Sequence, residues 1–160
     1  MGENKLPSLQ IVFEQTEKAL DRQFEQVSSL DTKLSILLGA AGIIFAALLS
    51  IASTLANVCV SQKVLFGSGT LLILLSLISA ALGYRVYRFH RPPNPRVLRT
   101  DYIVKEDEET KLSIIDESLS GLDRNQRVIA EKISYIRSAF FFLGSGIMLL
   151  AVAFVLLVVI

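Results

Sequence analysis

Side chains able to do chemistry are few in this chain and poorly placed for catalysis. The only histidine, His90, sits in an arginine- and proline-rich segment, and the only cysteine, Cys59, is separated from it by a long apolar run. A single imidazole at the edge of that run cannot serve a Ser-His or Cys-His nucleophile. Neither residue belongs to a cluster with metal-ligand spacing. Gly67-Ser68-Gly69 and Gly144-Ser145-Gly146 are glycine pairs inside uncharged apolar runs, so neither makes a phosphate-binding loop. No acid, lysine, arginine or histidine falls inside any of the three long apolar runs, whereas proton-coupled transporters and pumps need such residues within their spans. The expectation is a protein without catalytic, metal or cofactor chemistry, which works by assembling.

One charged constellation remains. Arg85, Arg88, Arg91, Arg96 and Arg99 all precede the first following acid, Asp101, and Tyr84, Tyr87 and Phe89 are interleaved among them. Such a cluster can contact anionic lipid or a nucleotide, or it can simply fix membrane orientation. The preceding short connector carries one positive residue, Lys63. Positively charged loops stay on the cytoplasmic side, so orientation alone accounts for the arginines.

The elements that must place these residues are helices. Leu112, Ile115, Leu119, Leu122, Gln126, Ile129, Ile133 and Ile136 recur at steps of three and four, the spacing of a helix that packs along its length against another helix. The alternation continues through Phe140, Leu143, Ile147, Leu150, Phe154 and Leu157, and from residue 139 to 160 there is no charge. That is a membrane span. A helix of about 50 residues is roughly 75 Å long and a bilayer core takes only ~30 Å of it, so the rest stands out as a stalk. Gln126 is a polar residue on this seam; it either specifies register and strand number or marks an exposed position on an imperfect stripe.

Two earlier runs also span. Residues 34–56 lack charge and carry Ser35, Gly39, Gly42, Ala46, Ser50 and Ser53 on one side, a small-residue face that lets helices approach closely in lipid, within one subunit or between subunits. Residues 64–84 form the second span, with Ser76, Ala80, Ser79 and Gly83 as a second ridge. Before them, residues 1–33 hold an amphipathic helix with Leu9, Phe13, Thr16, Leu20, Gln23, Val27 and Leu30 on one stripe. Its polar face is slightly acidic, whereas membrane-surface helices carry Lys/Arg-rich faces, so packing against another helix is favoured.

These readings divide the chain into a cytoplasmic amphipathic helix (1–33), a first span (34–56), an external connector (57–63) and a second span (64–84). A basic, proline-rich cytoplasmic linker (85–106), a cytoplasmic stalk helix (107–138) and a third span (139–160) follow, all in one structural unit. Pro92, Pro93 and Pro95 forbid helix in the linker, where the chain must reverse. Glu106, Asp107, Glu108 and Glu109 suit the first turn of the stalk helix. The fold class is an all-α membrane protein: three transmembrane helices with a cytoplasmic, coiled-coil-like helical stalk. The polar start predicts no cleaved signal peptide, and Cys59, in the external connector, is a free thiol or a link between chains. The net charge of +1 excludes a generally basic nucleic-acid binder.

Three stretches resemble the small multi-span membrane effectors of prokaryotic conflict systems, the SLATT families and the membrane effectors of the Pycsar type. They are Leu30-Asp31-Thr32-Lys33-Leu34-Ser35-Ile36-Leu37-Leu38-Gly39 entering the first span, and Pro93-Asn94-Pro95-Arg96-Val97-Leu98 after the second. The third is Asn125 with Lys132, Arg137 and Ala139 leading into the last. The likeness lies in layout and these positions, over most of the chain. It implies a pore-forming or membrane-damaging effector, triggered in response to phage and lethal or growth-arresting to the cell.

The resulting expectation is an oligomeric inner-membrane protein, N-terminus cytoplasmic and C-terminus outside, that forms a pore or disrupts the membrane in anti-phage defence. Its cytoplasmic helices would control assembly or gating. Lipid, other copies of the chain and a soluble cytoplasmic sensor or partner are the expected contacts; nucleic acid is not. The alternative is a passive scaffold whose stalk recruits a soluble partner.

Overall fold

A computed structural model describes residues 8–51, 59–85, 89 and 106–159. Among the described residues there are three helices: α1 (Leu9–Ile51), α2 (Val60–Gly83) and α3 (Asp107–Val159). Each is long and apolar enough to cross a membrane, and the protein is an all-α membrane protein with three spans. Residues 1–7, 52–58 and most of the 85–106 linker, with Arg88, His90, Arg91, Arg96 and Arg99, lie outside the described residues.

No proline interrupts α1 or α3, so each passes unbroken from a charged stretch into an uncharged one. The α3 start carries Asp107, Glu108 and Glu109 in its first turn, where carboxylates meet the positive end of the helix dipole. Lys111 Nζ lies 2.7 Å from Asp107 Oδ2 on the exposed surface, a pairing of little energetic weight. Helix α2 begins at Val60, four residues earlier than the expected span. Nothing in Val60–Lys63 breaks a helix, and the Lys63 amide donates to the Cys59 carbonyl at 3.1 Å. The expected connector is shortened accordingly.

The chain divides into two compact units, Met1–Ser28 with Val86–Ala130, and Ser29–Arg85 with Glu131–Ile160. In the first, α1 buries Leu9, Thr16, Leu20 and Val27, while α3 buries Ile115, Ser118, Asn125 and Ile129. The amide of Gln23 donates to the Leu122 carbonyl at 3.1 Å, and Phe24 and Phe89 stack at a tilt with centroids 6.1 Å apart. The Thr16 hydroxyl donates a hydrogen bond to the Val12 carbonyl one turn back, which lets a polar residue lie in the packed face at low cost.

In the second unit, the buried apolar residues are Leu34, Leu37, Ala41 and Leu48 of α1, Ile73 and Ala80 of α2, and Ile136, Ala139, Leu143 and Ala153 of α3. Lipid is as apolar as leucine, so burial there brings little hydrophobic gain and close packing with interhelical hydrogen bonds must hold the helices. Both are present. A Cβ on Gly69 would lie 2.8 Å from Leu150 Cγ and 3.3 Å from the Gly146 carbonyl; one on Gly146 would lie 2.8 Å from Ile73 Cδ1 and 3.1 Å from the Gly69 carbonyl. Helices α2 and α3 therefore touch backbone to backbone, antiparallel, at Gly69 and Gly146.

Candidate functional site

The polar groups buried between helices are the functional candidates, since each is costly unless partnered. On α3 they lie on the stripe 115, 118, 122, 125, 129, 132, 136, again at steps of three and four. This is the expected seam turned by one position. Ile115, Ile129 and Ile136 are buried and Leu122 half-buried, but Leu112, Leu119, Gln126 and Ile133 are exposed, and Ser118, Asn125 and Lys132 take the interior places. Hydropathy ranks Leu119 above Ser118 and Ile133 above Lys132, yet within the single chain the polar member of each pair is the buried one. The physical reason at Lys132 is the charged partner that Asp31 of α1 offers, and close approach of helices favours a small side chain such as Ser118.

Lys132 is the clearest case. Its side chain is 4% exposed and pairs with Asp31, itself 38% exposed. A buried ammonium is tolerated only with a partner, and Asp31 supplies one from α1 close to where both helices lose their last charges, Lys33 and Arg137. Next along α3, Ser76 of α2 donates its hydroxyl to the Ala139 carbonyl at 2.9 Å, with Ser76 fully buried. The Gln62 amide caps the far end by donating to the Leu156 carbonyl at 3.0 Å. A Cβ on Gly83 would meet Tyr135 Cβ at 2.8 Å and Leu34 Cδ2 at 3.0 Å, so α1, α2 and α3 come together there.

Ser35, Gly39, Ala46 and Ser50 are exposed and Gly42 is half-buried. A Cβ on Gly39 or Gly42 would meet nothing within 4 Å. Among the described residues this small-residue face makes no close approach, and the α1 interior is built instead from Leu34, Leu37 and Ala41. Arg85 and Cys59 are both exposed, and Cys59 is a free thiol. Among the described residues no group of His, Cys, Asp and Glu is arranged to hold a metal. What the arrangement does is mechanical: it locks three helices together through a few polar points.

A family model described as the Pycsar effector protein domain matches residues 15–159. The chain belongs to this family. The match takes in all three spans, together with Asp31, Ser76, Asn125 and Lys132. As a Pycsar effector domain it is a membrane effector of anti-phage defence. No curated protein and no solved structure gives a significant match.

In the sequence Asp31, Asn125 and Lys132 stand out only as points of resemblance, and Gly69 and Gly146 only as glycines inside apolar runs. A signal was available for Lys132 and Asn125: each continues a three-four alternation with Ile129 and Ile136. No local signal names Asp31 as the partner of a residue so far along the chain.

Proposed function

We propose that several copies of this chain assemble in the cytoplasmic membrane and breach it, by a pore or by disruption, as the abortive end of an anti-phage response. The protein acts by assembly and not by catalysis. The family match over residues 15–159 carries the reading. Two observations support it. The Ser35, Gly39, Gly42, Ala46 and Ser50 face of α1 is left open, and small-residue faces are what spans use to associate. Both α1 and α3 continue unbroken from charged segments into spans, so a rearrangement of the polar segments is passed to the membrane by stiff rods. The arginines from Arg85 onward support a cytoplasmic position for that side under the positive-inside rule, which would leave the C-terminus outside. A pore lined by Ser, Thr, Gly and apolar side chains would be weakly selective and gated by packing or dewetting.

Induced expression of the chain, followed with a potential-sensitive dye and a normally excluded DNA stain, tests this. Loss of potential and stain entry ahead of growth arrest are expected. Intact potential in growing cells, with a soluble protein co-purifying, would replace the effector with a scaffold.

A further inference from the structure

We propose that neighbouring copies in this assembly meet through the polar segments of α3 and α1. Leu112, Asp116, Leu119 and Asp123 of one copy would pack on Ile11, Gln15, Lys18 and Arg22 of the next. The inference rests on the assembly reading above and names its contact outside the bilayer. All eight residues are exposed, and both sets step by four, three and four along one helix face. The apolar members are conspicuous in a segment outside the spans: Leu112 is 43% exposed, Leu119 49% and Ile11 62%. The polar members have opposite sign on the two faces, acids on α3 and bases on α1. Among the described residues none of Lys18, Arg22, Asp116 and Asp123 makes an ion pair. Of the acids of α1, Glu17 and Asp21 occupy other rows, whereas Glu25 follows Arg22 on the same stripe and Glu14 flanks it one turn before Lys18.

Depth selects the occupant. With three spans, α1 and α3 cross in the same direction, and the bond from Gln23 to the Leu122 carbonyl sets them level. On that register Lys18 stands level with Asp116, and Arg22 with Asp123, within about 3 Å at ~1.5 Å per residue. A second copy in the same bilayer is held at the same depth and in the same sense, so its bases arrive opposite these acids without any vertical shift. A soluble partner has no such constraint. A two-fold axis along the membrane normal would have to bring both faces of each copy into a single contact, whereas one face per neighbour needs no such overlap. The contact is therefore head-to-tail, of the kind that closes into rings.

Charge reversal tests it on the full-length chain in lipid nanodiscs, with particle mass as the readout and circular dichroism as the check on folding. The wild type is expected to be oligomeric. The pair Asp116→Lys with Asp123→Lys, or the pair Lys18→Glu with Arg22→Glu, should each reduce the particle to single chains. All four substitutions in one chain should return the wild-type mass. Mixing the two doubly substituted chains should give particles holding both in equal number, because each then presents the face the other needs. Reversal pairs that leave the wild-type mass unchanged would overturn this interface while leaving assembly intact. Disruption without recovery in either the four-fold variant or the mixture would overturn it as well. A wild type that is a single chain in the bilayer would sink the assembly reading together with this one.

Discussion

Removing Asp31 should cost far more than removing Lys132, although the two form one ion pair. Lys132 is 4% exposed and Asp31 is 38% exposed. Asp31→Ala leaves an ammonium buried between helices without its carboxylate, and breaking a buried pair in this way costs about 3–5 kcal/mol where no other group helps. Lys132 has further interactions, which lower the expected loss to about 2–3 kcal/mol. Lys132→Met places an apolar chain of similar length in the same slot and leaves Asp31 free to turn toward water, so its expected cost is below about 1 kcal/mol. The double variant should resemble Lys132→Met, because no buried charge is left behind. A double-mutant cycle by reversible denaturant unfolding in micelles measures all four species. Equal losses for the two single variants, or a double variant as unstable as the sum of both, would refute the view that Lys132 is a buried charge held by Asp31.

Two further outcomes follow from the packing. Gly146→Val should destabilise the α2–α3 contact by about 1–3 kcal/mol through overpacking against Ile73 and the Gly69 carbonyl, whereas Gly144→Ala meets nothing within 4 Å and should leave unfolding unchanged or slightly improved. The same micelle assay separates them, and equal losses would contradict the close crossing. Gln23 Oε1 is buried without a hydrogen-bond partner, so Gln23→Leu removes an unsatisfied acceptor at the expense of one bond to the Leu122 carbonyl. Net stability should be unchanged or rise by about 1 kcal/mol, and a loss beyond 1 kcal/mol on the same scale would show that the amide is better satisfied than its geometry indicates.

The helices and the spans were legible in the sequence because their causes are local. Lipid tolerates no unpaired backbone and no unneutralised charge, so an uncharged run of sufficient length has one outcome, and the absence of proline from residues 8–51 and 107–159 lets each helix continue into its span. Asp107, Glu108 and Glu109 mark the start of α3 for an equally local reason, the field of the first turn. Which face of α3 turns inward is a different kind of question. Ile115, Ile129 and Ile136 belong to both candidate stripes, and hydropathy then prefers Leu119 and Ile133 to Ser118 and Lys132. The fold chooses the polar residues. Lys132 can be interior only because Asp31, distant in the chain, stands beside it, and Gly146 can approach α2 only because Gly69 lies at the same point of the crossing. Pairings of that range are set when helices find their registers against one another, and no window of the chain contains both partners. Tertiary structure alone could therefore decide the inner face, and with it leave Leu112 and Leu119 on the outside.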